Sequence, residues 1–271
     1  MKCSIQSCKR ICFFFILFLF IFANLAYSDP DTPEVEQAQL DEGYLFVSLG
    51  SNCGVAGILR ASDLRNAAFP FDWMVTYDGE KFIELLDNDF AFFLDPKYLH
   101  VEPSDPGYLI QTYYHMEFLH EGDFRGQAYI SSLEKLQSKC ERRIERFRQL
   151  KNYSGKVTFI RSSYIDSLID PHIYVSNENI ELTDDYSIRL YESLKIFFPK
   201  LNFTLIILNT HDGSGIIDER KITDHVIQIR SNLRASLLEN VTAFKQYILS
   251  SNKQALTDSL VPVIETKQSA D

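Results

Sequence analysis

The sequence has few cysteines, and their positions limit what they can do. Three of the five lie within the first 28 residues. The rest of the chain keeps only Cys53 and Cys140, which excludes the disulfide framework that holds many small secreted domains together. A single bridge between these two cysteines remains an alternative.

Basic residues are also scarce. The chain has 27 Lys and Arg against 37 Asp and Glu, a formal net charge of −10 at pH 7. Residues 1–28 hold three of the basic residues and no acid, so the chain without them would carry −13. An acidic chain is repelled by phosphate backbones and anionic lipid surfaces. We therefore expect neither nucleic acid nor a stable membrane contact for the folded body.

A long apolar run is missing as well. The run from Ile11 to Ala23 falls short of the about 20 residues that a membrane-spanning helix needs. It follows three basic residues and precedes the small-x-small sequence Ala26–Ser28, as in a secretory signal peptide. We predict a signal peptide over residues 1–28 and a secreted or periplasmic protein. An uncleaved N-terminal membrane anchor is the alternative.

The remaining chain has the composition of one folded domain. Residues 29–42 are acidic and contain proline, which predicts an exposed linker, and 256–271 form a polar tail. Between them, 43–255 alternate apolar runs typical of buried strands with amphipathic segments typical of helices. This alternation predicts an α/β domain, a largely parallel sheet with helices on both faces. The strands are predicted at Tyr44–Gly50, Lys156–Ser163, Phe203–Thr210 and His225–Arg230.

The stretch VSLGSNCGVAG, Val47–Gly57, predicts a strand end, a tight turn and the start of a helix at Cys53. Backbone N–H groups at a helix start favour a thiolate and lower its pKa. Ser51 and Asn52 are placed to cap the helix or to donate to an oxyanion, and the amides of Cys53 and Gly54 are further candidate donors. The alternative is a buried structural cysteine, because free Cys is among the most buried residue types. Cys140, on the apolar stripe of a helix, fits that second description.

A nucleophilic thiolate needs a general base, usually a His oriented by a third group. Residues Tyr108–His120 have strand composition, so we predict that His115 packs within the strand and that His120 lies at the following turn. Asp123 is close to His120 in sequence. Asp72, between two aromatic residues, either orients the base or caps a turn. The histidine spacing matches no metal-binding motif, and we predict neither metal nor cofactor.

Arginines form the other candidate site. The helix predicted over 130–150 carries Arg142, Arg143 and Arg146 on the face opposite its apolar stripe. The ordinary interpretation is a solvated face; the sharper one is a clamp for a carboxylate or phosphate, formed by Arg142 and Arg146. Arg161 follows an apolar strand, where the ligand crevices of parallel sheets open, and it is a third candidate.

Six blocks together resemble a known family. In chain order they are VSLGSNCGVA, FPFDWMV, LLDNDF, FLHEGDF, CERRIERF and VTFIR. They are similar to the papain-like cysteine peptidases of a domain of unknown function found mainly in bacteria. The resemblance implies Cys53 as nucleophile and His120 as base. In the family pattern an acid follows the His directly, whereas two residues intervene before Asp123 here, so Asp123 and Asp72 both stay candidates for orienting the imidazole.

The papain-like architecture, an α+β fold in two lobes, is the alternative to the parallel sheet. In a parallel sheet, Cys53 would resemble a nucleophile at a strand–helix elbow. Two functions follow. The first is an exported cysteine hydrolase acting on peptide or other amide bonds. The second is a non-catalytic or transferase-like domain that binds an anionic or sugar-like ligand through the arginines and Asp72. The expected partner is a peptide or another small ligand, and the oligomeric state stays open.

Overall fold

The computed structural model describes Leu40 and residues 43–101, 108–118, 124, 129–162, 183–209 and 218–230. Its helices are α1 (Gly54–Ala61), α2 (Gly79–Asp87), α3 (Tyr129–Gln149) and α4 (Asp184–Phe197), with 3-10 turns at Pro96–Tyr98 and Leu150–Asn152. Its strands are β1 (Tyr44–Ser48), β2 (Met74–Thr76), β3 (Leu99–Val101), β4 (Leu109–Gln111), β5 (Met116–Phe118), β6 (Lys156–Ser162), β7 (Asn202–Asn209), β8 (Asp218–Thr223) and β9 (Val226–Arg230).

The larger sheet has five strands in the order β1-β6-β7-β9-β8. Neighbouring strands run parallel except β8, which pairs antiparallel with β9 at the edge. The smaller sheet is antiparallel, with four short strands in the order β2-β5-β4-β3. The predicted α/β fold with a largely parallel sheet is therefore confirmed, and the main sheet does not follow the papain-like alternative.

Helices pack on both faces of the large sheet, as the continuous apolar strands predict. On one face, α1 packs against strand side chains that all point to that side of the sheet. The cluster joins Val55, Ile58 and Leu59 of the helix with Phe46, Ile160, Ile206 and Leu208 of the strands. On the other face, α3 and α4 cover the alternate strand residues and join the small sheet in the main core. Because strand side chains alternate between the two faces, shifting a strand by one residue would move each of its side chains to the opposite face and disrupt the packing on both sides of the sheet.

One strand prediction was wrong. The segment predicted as a single strand over Tyr108–His120 is a hairpin, in which β4 and β5 flank a turn at residues 112–115. His115 lies in this turn with a φ of +53° and an exposed side chain, so the prediction that it packs within a strand was also wrong. The edge strand β8 was not predicted at all.

Several boundary predictions concern residues outside the described ranges. They include the signal peptide 1–28, the polar tail 256–271 and the 29–42 linker apart from Leu40, which packs against the main core. Within the described ranges, no helix is long and apolar enough to cross a membrane.

Candidate functional site

Cys53 lies where the sequence places it, between the end of β1 and the start of α1. It occupies the N-cap position of α1, with φ −67° and ψ −9°, and its side chain makes no capping hydrogen bond. The thiol is free and partly buried. The residue therefore sits at the carboxyl edge of a parallel sheet, where ligands of open α/β folds bind.

The electrostatics of the Cys53 thiol differ from the prediction. Burial raises the pKa of this thiol, because the thiolate would lose hydrating water, and a backbone hydrogen bond offsets the rise only in part. The predicted net lowering of this pKa was wrong, because the loss of hydration on burial outweighs the hydrogen bond from the backbone.

The turn that leads to Cys53 is held through three successive carbonyl groups. Leu49 O accepts a hydrogen bond from Arg161 Nη1 at 2.9 Å. Gly50 O accepts two from Ser162, from its amide and its Oγ, both at 3.2 Å. Ser51 O accepts one from the amide of Thr76 in β2 at 3.0 Å. We call residues 49–53 the Cys53 turn; both sheets anchor it.

Two residues of the Cys53 turn have left-handed backbone conformations, Gly50 with φ +71° and Ser51 with φ +78°. Gly50 is required here, because a Cβ at this position would lie 2.9 Å from Phe71 O. Ser51 adopts a conformation that costs a non-glycine residue free energy. This pair of left-handed residues turns the chain sharply from the strand into the helix.

Two of the predicted oxyanion donors contact each other. The side-chain Oδ1 of Asn52 accepts a hydrogen bond from the amide of Gly54 at 2.8 Å. The Gly54 amide is therefore already engaged, and Asn52 acts as a local acceptor at the helix start. Whether either group binds an oxyanion stays a prediction.

Asp72 is buried in a turn and pairs with an arginine. Its Oδ2 accepts hydrogen bonds from Arg65 Nη2 at 2.6 Å and Arg65 Nε at 3.1 Å, and from the Phe69 amide at 2.8 Å. Burial raises the pKa of this carboxyl, and the Arg65 charge acts in the opposite direction. These contacts are those of a structural turn residue. Its role in orienting a histidine stays a prediction.

The face of α3 that carries the arginines is not solvated. Arg143 and Arg146 are 1% and 8% exposed, and Arg146 Nη1 donates to Ala68 O at 2.5 Å. The predicted solvated face was wrong for these two residues, because the turn before β2 covers that side of the helix. Arg142 alone is exposed, and its Nη1 bonds back to Ser138 on the same helix.

Arg161 is fully buried at the end of β6. Besides Leu49 O, its guanidinium donates from Nη2 to Thr76 Oγ1 at 3.0 Å and lies 4.0 Å from the ring centroid of Phe82. All three of these contacts are with the protein itself. Ligand binding by Arg142, Arg146 and Arg161 stays a prediction.

The predicted base and one predicted acid, His120 and Asp123, lie outside the described residues. His115 is half exposed, with its Nδ1 3.3 Å from Asp78 Oδ2. The alternative of a Cys53–Cys140 bridge is wrong, because both thiols are free. In the described part of the chain, no group of three or more His, Cys, Asp or Glu side chains is arranged to hold a metal ion.

Sequence reasoning missed two residues that hold the Cys53 turn, Thr76 and Ser162. They carry no periodicity or motif that marks them, and their contacts join segments that are distant along the chain. The sequence Gly-Ser-Asn before Cys53 was the available signal for the turn itself, because such residues are common where the backbone turns left-handed.

Comparisons with known proteins agree with the resemblance of the six sequence blocks. The model of the family described as "Putative papain-like cysteine peptidase (DUF1796)" matches residues 44–213, well over half of the chain. An uncharacterized protein of Acanthamoeba polyphaga mimivirus is 24% identical over 204 residues, which cover 68% of this chain and 87% of that protein. No solved structure matches the chain.

Proposed function

As this chain belongs to the papain-like cysteine peptidase family, we propose that it is an exported cysteine hydrolase with Cys53 as its nucleophile. The observation that carries the proposal is the position of Cys53, partly exposed at the first turn of α1 and directly beyond the carboxyl edge of the sheet. Nucleophiles at a strand–helix elbow occupy this position. The substrate class that we propose is a peptide or another amide.

The proposed reaction has two acyl-transfer steps. His120 takes the proton of the Cys53 thiol, and the sulfur attacks the amide carbonyl carbon. The tetrahedral intermediate expels the amine, which receives the proton from His120, and a thioester remains. Water, deprotonated by His120, then attacks the thioester carbonyl. The C–S bond breaks, His120 returns the proton to the Cys53 sulfur, and the carboxylic acid product is released.

The buried environment makes the base necessary. Because burial raises the pKa of the Cys53 thiol, little thiolate forms near neutral pH without a cation or a base beside it. We propose that His120 provides this, and that Asp123 orients the imidazole, since Asp72 is engaged by Arg65 and Phe69.

The alkylation rate of Cys53 tests the proposal. In a Cys140→Ser background, iodoacetamide rates are measured against pH with and without His120→Ala. We expect a reaction midpoint below the free-thiol value of about 8.5. The midpoint should rise above that value in His120→Ala, because burial then outweighs the backbone hydrogen bond that lowers the pKa of the thiol. Equal midpoints in the two proteins would exclude His120 as the activating base.

Acyl transfer is tested separately with p-nitrophenyl acetate. We expect a burst of nitrophenol and a mass increase of one acetyl group on Cys53, both absent in Cys53→Ser. Cys140→Ser is the matched control, because Cys140 is buried on α3, and it should leave the burst unchanged. Export is tested by the N-terminal sequence of the protein recovered from outside the cytoplasm, which should begin near Asp29.

The alternative function, a domain that binds an anionic or sugar-like ligand through the arginines, has no observation in its favour. Arg146 and Arg161 are engaged within the chain itself, by backbone carbonyls, a threonine hydroxyl and an aromatic ring.

A further inference from the structure

Within the described residues, the Cys53 turn has three backbone carbonyl groups that are hydrogen-bonded and two backbone amides that are not. Its carbonyl groups at Leu49, Gly50 and Ser51 all accept hydrogen bonds from β6 or β2. In the described part of the chain, by contrast, the amides of Ser51 and Asn52 donate none. Native structures rarely leave a buried backbone donor without an acceptor, and Ser51 is fully buried while Asn52 is partly buried.

The same turn also holds a buried hydroxyl group that has no hydrogen-bond partner among the described residues. Ser51 is fully buried, and within the described residues its Oγ has no hydrogen-bond partner. A buried hydroxyl without a partner costs free energy, so it calls for an explanation such as a ligand. This side-chain observation is independent of the backbone amides and lies two residues before the proposed nucleophile.

The anchored carbonyls also set the direction of the donors. In a trans peptide, the N–H of one residue points opposite to the C=O of the residue before it. Gly50 O points toward Ser162 in β6, so the Ser51 amide points away from β6. Ser51 O points toward Thr76 in β2, so the Asn52 amide points away from β2. Each amide therefore faces away from the strand that binds the carbonyl of the same peptide group.

We propose that Ser51 and Asn52 form an anion-binding set beside Cys53, with Arg161 as the positioning residue that holds it. The donors are the two backbone amides and the Ser51 hydroxyl, on two residues that the sequence already marks as candidates. The ligand class is a carboxylate or the oxyanion of an acyl-transfer intermediate. The proposal rests on the proposed function only in its use of Cys53 as the reacting group.

The role of Arg161 follows from its two bonds. Its planar fork joins Leu49 O in the turn to Thr76 Oγ1 in β2, at 2.9 and 3.0 Å. A lysine at this position keeps the charge but cannot span both acceptors in the same plane. Arg161 acts through the Cys53 turn and is a positioning residue.

The test compares two alkylating reagents that react with the same thiolate. Iodoacetate carries a negative charge and iodoacetamide does not, so the ratio of their rates does not depend on the thiolate fraction. The reference ratio comes from the same Cys140→Ser protein unfolded in urea. High ionic strength removes the repulsion by the net acidic chain. We expect the folded ratio to exceed the unfolded one about tenfold, the effect of hydrogen bonds to a charged group.

Substitutions then separate the donors from the scaffold. Ser51→Ala should lower the ratio about threefold to tenfold, and Ser51→Gly, which relieves the left-handed strain, should lower it equally. Ser62→Ala is the matched control, because Ser62 is also fully buried and its Oγ likewise has no partner among the described residues, but it lies at the other end of α1. It should leave the ratio unchanged.

Arg161→Lys should lower the ratio at least as much as Ser51→Ala, and it should lower kcat for p-nitrophenyl acetate more than it raises KM. If this variant does not fold, Thr76→Val removes the same acceptor, and Thr76→Ser should restore the ratio.

The outcomes distinguish this inference from the proposed function. A high ratio that falls in Ser51→Ala, without any acyl transfer, would support the anion site and exclude the hydrolase. Acyl transfer with equal folded and unfolded ratios, or equal effects of Ser51→Ala and Ser62→Ala, would overturn the anion site alone. A folded Cys53 that reacts with neither reagent would overturn both.

Discussion

Several parts of the described chain hold non-glycine residues in left-handed conformations, and two of these parts satisfy their backbones differently. One is the Cys53 turn, with Ser51 at φ +78°. The other, which we call the Phe92 loop, spans residues 88–95 after α2 and includes Asp89, Phe90 and Phe92 at φ +47°, +62° and +63°. Both contain left-handed strain of the same kind, which by itself does not mark a functional site.

The difference lies in the donors. In the Phe92 loop, the amides of Asp89 and Phe90 donate to carbonyls in the last turn of α2, and the amide of Ala91 donates to Asn88 O at the start of the loop. Its carbonyls are bound as well: Ala91 O by the Tyr114 hydroxyl at 2.5 Å and Phe92 O by Gln111 Nε2 at 2.8 Å. The strain there serves internal packing. In the Cys53 turn the acceptors are bound in the same way, but two successive donors in the described structure are not, and these donors make that turn a candidate for binding.

The largest predicted effect is a loss of stability when an ion-paired aspartate near the Cys53 turn, rather than one in the Phe92 loop, is replaced by asparagine. Asp72, in the turn against which Gly50 packs, forms a buried pair with Arg65, each side chain 2% exposed. Asp72→Asn leaves the guanidinium buried without its counter-charge and should lower the free energy of unfolding by about 3–5 kcal/mol.

Asp89→Asn in the Phe92 loop is the matched control, and urea unfolding measures both variants. The Asp89 pair with Arg148 is largely exposed, so this change should cost at most about 1 kcal/mol. Equal costs would remove the distinction between a buried and an exposed ion pair. Normal stability together with lost acyl transfer in Asp72→Asn would assign Asp72 to catalysis.

The second effect concerns the backbone of the Cys53 turn. Gly50→Ala places a Cβ 2.9 Å from Phe71 O and 3.2 Å from Phe71 Cβ, at a φ of +71°. We expect a loss of about 2–4 kcal/mol in the free energy of unfolding, measured in urea. Gly57→Ala in α1 has nothing within 4 Å of the new Cβ and should gain about 0.5–1 kcal/mol. A loss below about 1 kcal/mol for Gly50→Ala would mean that the turn adapts, and its donors would then not be held in place.

Much of the fold could be predicted because its signals are local. The continuous apolar runs of β1, β6 and β7 and the three-and-four spacing of α3 need no distant partner to be recognised. The strands that were predicted wrongly or missed lack such local signals. The β8 sequence DERKIT is polar because it lies at the sheet edge, and the turn between β4 and β5 contains no Gly, Pro, Asn or Asp to mark it.

The candidate site was predicted in part for a similar reason. The position of Cys53 follows from a local strand–turn–helix pattern. The environment of Asp72 and the burial of Arg143 and Arg146 depend on contacts between α3 and the turn before β2, up to 78 residues apart. Periodicity in one segment cannot show which face another segment covers, so these arginines were assigned to the solvent side.

The third effect compares one buried polar side chain from each region. Gln111 is fully buried and uses both amide atoms, donating to Phe92 O and accepting from the Tyr114 amide at 2.7 Å. Gln111→Leu leaves both partners unsatisfied and should cost about 1–3 kcal/mol without altering Cys53 alkylation.

Ser51→Ala removes a buried hydroxyl that has no partner in the described part of the chain, so it should not lower the free energy of unfolding and should raise it by up to about 1–3 kcal/mol, the cost of a buried unsatisfied polar group. Unfolding curves and alkylation rates of the same two proteins test this. A large destabilisation by Ser51→Ala would show that its hydroxyl serves the fold, like Gln111.

The smallest effect is a pH dependence that belongs to the Cys53 turn alone. In a Cys140→Ser, His120→Ala protein, the described contacts raise the pKa of the Cys53 thiol above its unfolded value of about 8.5. As the pH rises through that value, the unfolded chain loses its proton first, so it binds fewer protons than the folded chain and stability falls. The fall ends once the pH passes the folded pKa.

Cys53→Ser removes this titration, so its stability should decline less between about pH 8 and pH 10 than that of its parent, as measured by urea unfolding. Asp89→Asn in the Phe92 loop should leave the decline unchanged, because it leaves the Cys53 thiol and its surroundings as they are. Restoring His120 should reduce the decline as well, since a protonated imidazole beside the sulfur favours the thiolate in the folded state. Parallel curves for the parent and Cys53→Ser would mean that folding does not alter the thiol, and the requirement for an activating base would then lose its physical reason.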